Sequence, residues 1–436
     1  MATATAPRVD WTLIFAQRGF RYFFAAMFVS LFGSGMNFAG VSWYILAATH
    51  STVKVSLQVI VVTLPGLIVP FLGGVLIDRF DRRYLGIAVD IARGIAVLGT
   101  AAIAYWGHLQ IWHLYAMTLI TGMGFAMYWA TVNALVQEVI PPSQFTGANA
   151  VVLIGVQTGM LLAGSMVGFA YNAAGIAGIL AIDGATYFVS AICLHKLRRG
   201  YVSPRQRSRY PHEYSEATEA TAEALETGAF PQVAEAGLTL AMYSDMKEGF
   251  AYLKAEPRVR ALGLTHATMM AGVVSANVLI VALASQVLHA GARGLGFLEA
   301  GWGAGAIVGG LLASQLSARL RMTLYVLAMA GLATGHMVMP FVTVLFFSVL
   351  LQATFGFCRA LGGVVAQSTV MHIVPRHFMG RTQSAFAIAT TVLQVIMSFG
   401  LGWLTQNAGI VAGFSLLALL YAGATGAAIR ARQLVS

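Results

Sequence analysis

The sequence predicts an all-α polytopic membrane protein with twelve transmembrane helices in two pseudo-symmetric six-helix bundles. Of its 436 residues, 58% are hydrophobic and only 10% are charged, whereas a soluble domain carries roughly 25% charged residues. In both halves the charges recur mainly at intervals of about 20 to 30 residues. The apolar stretches between them are long enough to cross a hydrocarbon core about 30 Å thick. The two halves also share sequence elements in register.

Twelve apolar stretches define the predicted helices, with an uncertainty of about three residues at each end. The first six form a predicted N-terminal bundle, residues 1–195, and the last six form a C-terminal bundle, residues 259–436. The predicted spans are 22–47, 55–77, 84–106, 110–136, 146–171, 174–195, 259–288, 294–317, 323–341, 343–372, 381–405 and 408–429.

A long polar segment, residues 196–258, separates the two sets of spans. It begins with a basic cluster and continues through an acidic stretch with few aromatic residues, which predicts a flexible linker. Near its end, apolar residues recur at a spacing of three to four, as in Met242, Met246, Phe250 and Leu253. This pattern predicts an amphipathic helix on the membrane surface near residues 239–255.

The distribution of lysine and arginine predicts the orientation. With the N-terminus inside, 22 of the 26 basic residues fall in cytoplasmic segments, and only Lys54 and Arg293 fall outside. Cytoplasmic loops of membrane proteins carry such an excess. Both termini are therefore predicted to be cytoplasmic. The topology also accounts for the net charge of +10, so no nucleic-acid partner is expected.

Two sequence elements repeat about 235 residues apart. Pro142–Gly147 precedes the fifth span and Pro375–Gly380 precedes the eleventh, while Gly73-Gly74 near the end of span 2 corresponds to Gly309-Gly310 near the end of span 8. Parallel repeats of six spans are typical of one large class of transporters.

The loop after the second span carries the most specific motif, Gly73-Gly-Val-Leu-Ile-Asp78-Arg79-Phe-Asp81-Arg82-Arg83. Glycines permit close contact between helices. A carboxylate at Asp78 is placed to cap a neighbouring helix or to pair with an arginine. The alternative interpretation is a basic cytoplasmic loop that happens to contain two aspartates.

This motif resembles the pattern Gly-x-x-x-Asp-Arg-x-Gly-Arg-Arg of the major facilitator superfamily. The matching positions are Gly74, Asp78, Arg79, Arg82 and Arg83. Asp81 replaces the second glycine and, with Asp90 and Arg93 early in the third span, is similar to the branch of siderophore and macrolide exporters. The resemblance implies an inner gate made of Gly74, Asp78, Arg79, Asp81, Arg82, Arg83, Asp90 and Arg93.

The resemblance also implies a function. A member of this branch is expected to export an amphipathic organic compound, siderophore or drug-like, by alternating access and coupled to protons. Such a protein is expected to lie in a bacterial inner membrane, and we expect a monomer. Two departures concern the coupling to protons. Proton-driven drug antiporters of this superfamily often carry an arginine in the fourth helix and a Gly-Pro signature in the fifth. Span 4 of this sequence has no arginine, and span 5 has no Gly-Pro pair.

Few ionisable residues lie inside the spans, where such groups often mark proton relays or substrate pathways. Asp90 and Arg93 are three residues apart and can pair on one face of a helix. Asp183 in span 6 and Glu299 in span 8 are the candidates for proton coupling. Tyr187, one turn after Asp183, is a possible hydrogen-bond partner that would make that carboxylate structural. Arg359 in span 10 either pairs with Glu299 or meets an anionic substrate.

Neutral polar residues suggest a central cavity. In this superfamily the first, fourth, seventh and tenth helices line it, and each polar residue there could instead make an interhelical hydrogen bond. Together they would suit an amphipathic organic molecule. His336 in span 9 is predicted to be a packed histidine. The cavity candidates are Asn37, Tyr44, Trp129, Asn133, His266, Asn277, Gln352 and Arg359.

The sequence contains no pattern typical of an enzyme or of a cofactor site. It lacks a Gly-x-x-x-x-Gly-Lys-Ser/Thr loop, so direct use of ATP is not expected. Cys193 and Cys358 both lie inside apolar spans, and neither a disulfide nor a metal site is predicted. Two alternatives to a coupled exporter remain: an uncoupled facilitator or lipid transporter, and a transporter-like membrane receptor or scaffold.

Overall fold

A computed structural model of the protein describes residues 11–67, 69, 82–140, 145–197, 253–313 and 318–435. Within these ranges the chain folds into helices joined by short turns and contains no β-strand. Nine of the described helices are long and apolar enough to cross a membrane. The prediction of an all-α polytopic membrane protein is therefore confirmed.

The helices follow one another with few intervening residues. In chain order they are α1 (Trp11–Ala16), α2 (Arg18–Thr49), α3 (Thr52–Thr63), α4 (Arg82–Tyr105), α5 (Ile111–Val139), α6 (Phe145–Lys196), α7 (Pro257–Gln286), α8 (Gly291–Ala313), α9 (Ala318–Val338), α10 (Leu345–Ile373), α11 (Arg376–Ala408) and α12 (Ile410–Val435).

Helix α6 contains two of the predicted spans. Its 52 residues would be about 78 Å long if straight at 1.5 Å per residue. Gly175 interrupts the helix with φ 62° and ψ −163°, a backbone conformation that glycine adopts easily because it has no Cβ. The arms before and after Gly175 correspond to the predicted fifth and sixth spans. Every predicted span thus coincides at least in part with a described helix or arm. The second span is described continuously only to Leu67, and the eighth only to Ala313.

Six short turns mark one end of the helix assembly, which we call the short-turn face. They lie at residues 50–51, 106–110, 175, 287–290, 342–344 and 409. Hydrogen bonds hold neighbouring turns together, as where the Tyr115 hydroxyl donates to the Lys54 carbonyl at 2.8 Å. The opposite ends of the helices lead into segments that lie mostly outside the described residues. Most of the predicted linker, including its amphipathic helix as far as residue 252, is among these, and the bundle boundaries remain predictions.

Burial differs strongly among the helices. In the most apolar stretch of α7, 83% of the residues are buried, against 33% in α4 and in α12. An apolar helix buried on all sides lies within the protein, whereas one with an exposed apolar face suits contact with lipid. Helix α7 is therefore central, and α4 and α12 are peripheral.

Exposed aromatic side chains cluster near the short-turn face. Tyr105, Trp106, Trp112 and Phe346 lie at the turns, and Trp403 lies near the end of α11. Tyrosine and tryptophan are enriched at the membrane–water interface because their rings are apolar but carry a polar group. These residues are placed to mark one boundary of the bilayer.

Two pairs of helices join the halves of the chain. The first arm of α6 packs along α8, and α3 packs along α11. At Gly164 the backbones of α6 and α8 approach so closely that an added Cβ would lie 2.6 Å from the Glu299 Cβ. Small residues at such contacts allow membrane helices to pack closely. The first of these pairs, α6 with α8, borders the cavity of the candidate site.

Candidate functional site

A cavity of about 180 Å³ lies between the two halves of the chain. It is bounded by α2 and the first arm of α6 on one side and by helices α7 to α10 and α12 on the other. Its wall is mostly apolar, with a few polar groups, as is usual for small-molecule sites. The lining residues are Gly35, Phe38, Ala39, Met160, Gly164, Val273, Val274, Ala276, Asn277, Ile280, Glu299, Trp302, Leu332, His336, Gln352, Phe355 and Tyr421.

Glu299 is the acidic residue of this wall. Among the described residues, none donates a hydrogen bond to its carboxylate or forms an ion pair with it, and its oxygens are not sealed from the cavity. An unpaired carboxylate inside a membrane protein is costly and usually functional. The group is therefore available to a proton or to a ligand.

Aromatic rings line the same cavity as this carboxylate. Trp302 lies one helical turn after Glu299 on α8, and Phe38, Phe355 and Tyr421 reach the same cavity from α2, α10 and α12. His336 also borders the cavity, but its ring stacks on Phe355 at 4.0 Å, and its Nδ1 lies 2.7 Å from the Leu332 carbonyl oxygen. His336 is thus a packed histidine that borders the cavity.

The amide side chain of Asn277 connects the cavity wall to the other half of the chain. Its Oδ1 accepts a hydrogen bond of 3.1 Å from the Ser42 hydroxyl on α2. The same hydroxyl lies 2.9 Å from the Gln58 Oε1 on α3. All three side chains are buried, and buried polar groups are usually hydrogen-bonded because an unpaired one is costly. This contact joins α2, α3 and α7 beside the cavity.

Arg359 does not pair with Glu299. The closest interactions that the structure gives its guanidinium are with the Met270 sulfur at 3.8 Å and with the Trp302 ring, whose centroid is 5.9 Å from Cζ. His266 lies close enough to interact electrostatically with Arg359. Arg359 and His266 are not among the residues that line the cavity. The guanidinium contacts the Trp302 and Met270 side chains instead of the carboxylate.

A second polar cluster lies inside the N-terminal half. Asp90 and Arg93 on α4 form an ion pair of 3.5 Å, with both side chains buried. Ser190 donates to the second oxygen of Asp90 at 2.6 Å, and Arg93 donates to the hydroxyls of Tyr187 at 2.7 Å and Ser34 at 3.2 Å. The cluster therefore joins α2, α4 and the second arm of α6.

Asp183 belongs to the same region and has a partner. The Asn37 amide donates to its Oδ2 at 2.5 Å. Asp183 is fully buried and Asn37 is 7% exposed. Neither residue is among those that line the cavity. The Tyr187 hydroxyl bonds to Arg93 and Ser34. The second oxygen of Asp183, Oδ1, is buried without a hydrogen-bond partner among the described residues.

The sequence matches a known protein family over about half of its length. The model of the Major Facilitator Superfamily matches residues 23–246, just over half of the chain. The chain belongs to the major facilitator superfamily. Members of this superfamily are transporters, and the prediction that the protein is not an enzyme is confirmed.

Individual relatives are distant but extend over most of the chain. The MFS-type transporter YfiS of Bacillus subtilis is 23% identical over 414 residues, which is 91% of this chain and 89% of the relative. The enterobactin exporter EntS of Salmonella typhimurium is 24% identical over 378 residues, 86% of this chain and 82% of the exporter. The predicted resemblance to the exporter branch is confirmed at this level of similarity.

Solved structures of transporters share the fold. A mutant form of the nucleoside transporter NupG superposes with a TM-score of 0.70 at 11% identity, over 96% of this chain and 100% of that one. A peptide transporter of the POT type in complex with sulfate gives a TM-score of 0.68 at 15% identity, over 98% of each chain. At these identities the likeness shows the fold alone.

The predicted gate residues are described only in part. The gate residues Gly74, Asp78, Arg79 and Asp81 lie outside the described residues. Arg82 begins α4, and Arg83 lies over the Tyr84 ring at 4.4 Å. Tyr44 is partly buried against the core. The side chains of Trp129 and Asn133 on α5 are also outside the described part.

Several cavity residues were not predicted from the sequence. Trp302, Tyr421, Met160, Phe38 and Phe355 line the cavity, three of them on helices outside the set that the family resemblance suggested. One signal was available, because Trp302 follows Glu299 by three residues and must share its face of α8. No comparable signal identified Tyr421.

Breaking the Asp90–Arg93 ion pair should destabilise the N-terminal half of the protein. Replacing Arg93 by glutamine leaves the Asp90 carboxylate buried without its cation, a loss that typically costs about 3–5 kcal/mol. We expect a clearly lower melting temperature in detergent. Adding Asp90→Asn removes the unpaired charge and should restore much of the loss. Equal melting temperatures for wild type and Arg93→Gln would show that the pair contributes little.

Proposed function

We propose that the protein exports an amphipathic organic compound by alternating access, driven by proton entry. The observation that carries this proposal is the Glu299 carboxylate, which faces the cavity between the halves and has no partner among the described residues. A carboxylate in that position can exchange a proton with whichever side of the membrane the cavity faces.

Glu299 is a better candidate for coupling than Asp183. Asp183 accepts a hydrogen bond from Asn37 and is fully buried away from the cavity, so its carboxylate does not face the space that would exchange protons with either side of the membrane. Glu299 lies on α8 at the contact with the first arm of α6, where its Cβ would be 2.6 Å from a Cβ at Gly164. Relative movement of the two helices would therefore change the surroundings of Glu299 directly.

Contacts between the halves support alternating access. At the short-turn face the Thr52 hydroxyl donates to the Gly402 carbonyl at 2.7 Å, and the Thr52 amide donates to the Gln406 Oε1 at 2.9 Å. A further bond joins the Gln394 amide to the Thr63 hydroxyl. These bonds between α3 and α11 close the short-turn face and must break before the cavity can open there.

The direction of transport and the location follow from the same proposal. The basic residues of the sequence favour cytoplasmic termini, which places the short-turn face outside. The likeness to the enterobactin exporter EntS supports export from a bacterial cell across its inner membrane, with a siderophore or a drug-like molecule as the compound. The predicted inner gate, from Gly74 to Arg93, would then close the cytoplasmic side.

Transport in proteoliposomes tests the coupling. With an imposed pH gradient, the purified protein should accumulate a siderophore or a macrolide, and Glu299→Gln should abolish the accumulation while leaving downhill movement. Asp183→Asn should retain gradient-driven transport per folded molecule because its carboxylate lies outside the cavity. Uphill transport by the Glu299→Gln variant would show that Glu299 does not couple transport to protons. Equilibration of the substrate by the wild type without a pH gradient would identify a facilitator.

A further inference from the structure

The charges around the cavity indicate which compounds bind there. Of the residues that line it, Glu299 carries an acidic side chain and none is a lysine or arginine. Other polar groups of this wall include the neutral amides of Asn277 and Gln352 and the ring of His336. The described wall therefore offers a ligand a negative group that no protein cation balances.

Two basic residues outside this wall have other partners. Arg359 contacts the Met270 sulfur and the Trp302 ring and is not part of the wall. Arg93 pairs with Asp90 inside the N-terminal half. An anionic ligand in the cavity would therefore meet a carboxylate without an opposing cation, and burying such a charge is strongly unfavourable.

The aromatic residues fit the opposite charge. Phe38, Trp302, Phe355 and Tyr421 present rings from four different helices to the same cavity as Glu299. The face of an aromatic ring carries a negative potential and attracts ammonium groups, most strongly when water is excluded. A cavity lined by a carboxylate and several rings suits an ammonium group attached to an apolar body.

We infer that the cavity binds an organic cation, an amine or quaternary ammonium compound whose charge pairs with Glu299 and whose apolar body contacts Trp302 and the other rings. This inference rests on the proposed function and narrows its substrate to compounds with a basic nitrogen. It favours a drug-like amine over an anionic chelator.

Two small probes of similar shape and opposite charge test the inference without transport. Benzyltrimethylammonium and phenylmethanesulfonate each carry a benzyl group and a tetrahedral head, and they have the same number of non-hydrogen atoms. Calorimetric titration of the full-length protein in detergent should show saturable binding of the cation, at least roughly tenfold tighter than that of the sulfonate. Glu299→Gln should weaken the cation at least roughly tenfold, as expected for loss of a charged contact.

Glu256→Gln is the matched control, because Glu256 precedes α7 and lies outside the cavity. It should bind the cation as the wild type does. Absence of cation binding, preference for the sulfonate, or unchanged cation binding by Glu299→Gln would each overturn the inference. Because the assay measures equilibrium binding alone, a protein that binds the cation but shows no proton-driven transport would contradict the coupling and leave the binding site standing.

Discussion

Replacing Gly305 by leucine should prevent the protein from reaching its stable fold, whereas the same change at Gly310 should be tolerated. A side chain at Gly305 would collide with the Ala353 carbonyl oxygen on α10, and the Ala353 Cα would lie only 2.8 Å from the new Cβ. Backbone atoms cannot rotate away as a side chain can. Overpacking costs about 1–3 kcal/mol even where side chains can adjust, so we expect a larger loss at Gly305.

The contact at Gly305 is one of several between the same helices. A Cβ at Gly309 would collide with the Phe357 carbonyl oxygen, and one at Gly356 would collide with the Trp302 carbonyl oxygen. Helices α8 and α10 therefore pack backbone to backbone over more than a turn. They also carry Glu299, Trp302, Gln352 and Phe355, so separating them would disrupt the cavity as well as the fold.

Gly310 gives a control with the same chemistry. It lies on the same helix, and no heavy atom of the described residues lies within 4 Å of a Cβ built there. The two variants gain the same apolar side chain, so their insertion into the membrane should be similar. Folded yield and melting temperature, followed by fluorescence size-exclusion chromatography, should fall sharply for Gly305→Leu and little for Gly310→Leu. Equal losses would mean that the close α8–α10 packing does not determine stability.

Hydropathy predicted the helices well because insertion in lipid requires long apolar segments with internally satisfied backbones. It was less able to place their ends. The eleventh span was predicted at 381–405, but α11 is Arg376–Ala408, since a helix continues into polar residues beyond the hydrocarbon. The break between the fifth and sixth spans was predicted at residues 172–173, and the structure places it at Gly175.

The cavity was predicted only in part. Asn277, Gln352 and Glu299 were identified because polar groups are rare inside spans and therefore conspicuous. The aromatic wall was not, because aromatic residues are as common on lipid-facing surfaces as in cavities. Contacts between distant helices could not be predicted either. The sequence places Asn37 on the same helix face as Tyr44. Its hydrogen bond to Asp183 forms because α2 packs against the second arm of α6.

A disulfide between cysteines at positions 56 and 402 should stop transport completely and reversibly. Ser56 lies on α3 and Gly402 on α11, and a Cβ at Gly402 would be 2.7 Å from the Ser56 Cβ. Disulfides need a Cβ separation of about 3.5–4.5 Å, so a displacement of about 1 Å suffices. Once formed, the bond holds the two helices together at the short-turn face and prevents the opening that alternating access requires.

The test starts from a protein in which Cys193 and Cys358 are replaced by alanine, because both are free thiols. Ser56→Cys with Gly402→Cys should lose transport on oxidation and regain it on reduction. A second pair, Thr405→Cys with Gly413→Cys, is the control: a Cβ at Gly413 would be 3.4 Å from the Thr405 Cβ, but both positions belong to the C-terminal half.

The control disulfide joins α11 to α12, which should move together, so transport should persist after oxidation. Loss of activity in both pairs would point to oxidation damage or to local strain. Transport that continues through the cross-linked Ser56→Cys and Gly402→Cys pair would contradict the proposed movement directly. Substrate would then have to pass the short-turn face by a route that leaves α3 and α11 in contact, for which the bonds from Thr52 to Gly402 and Gln406 leave little space.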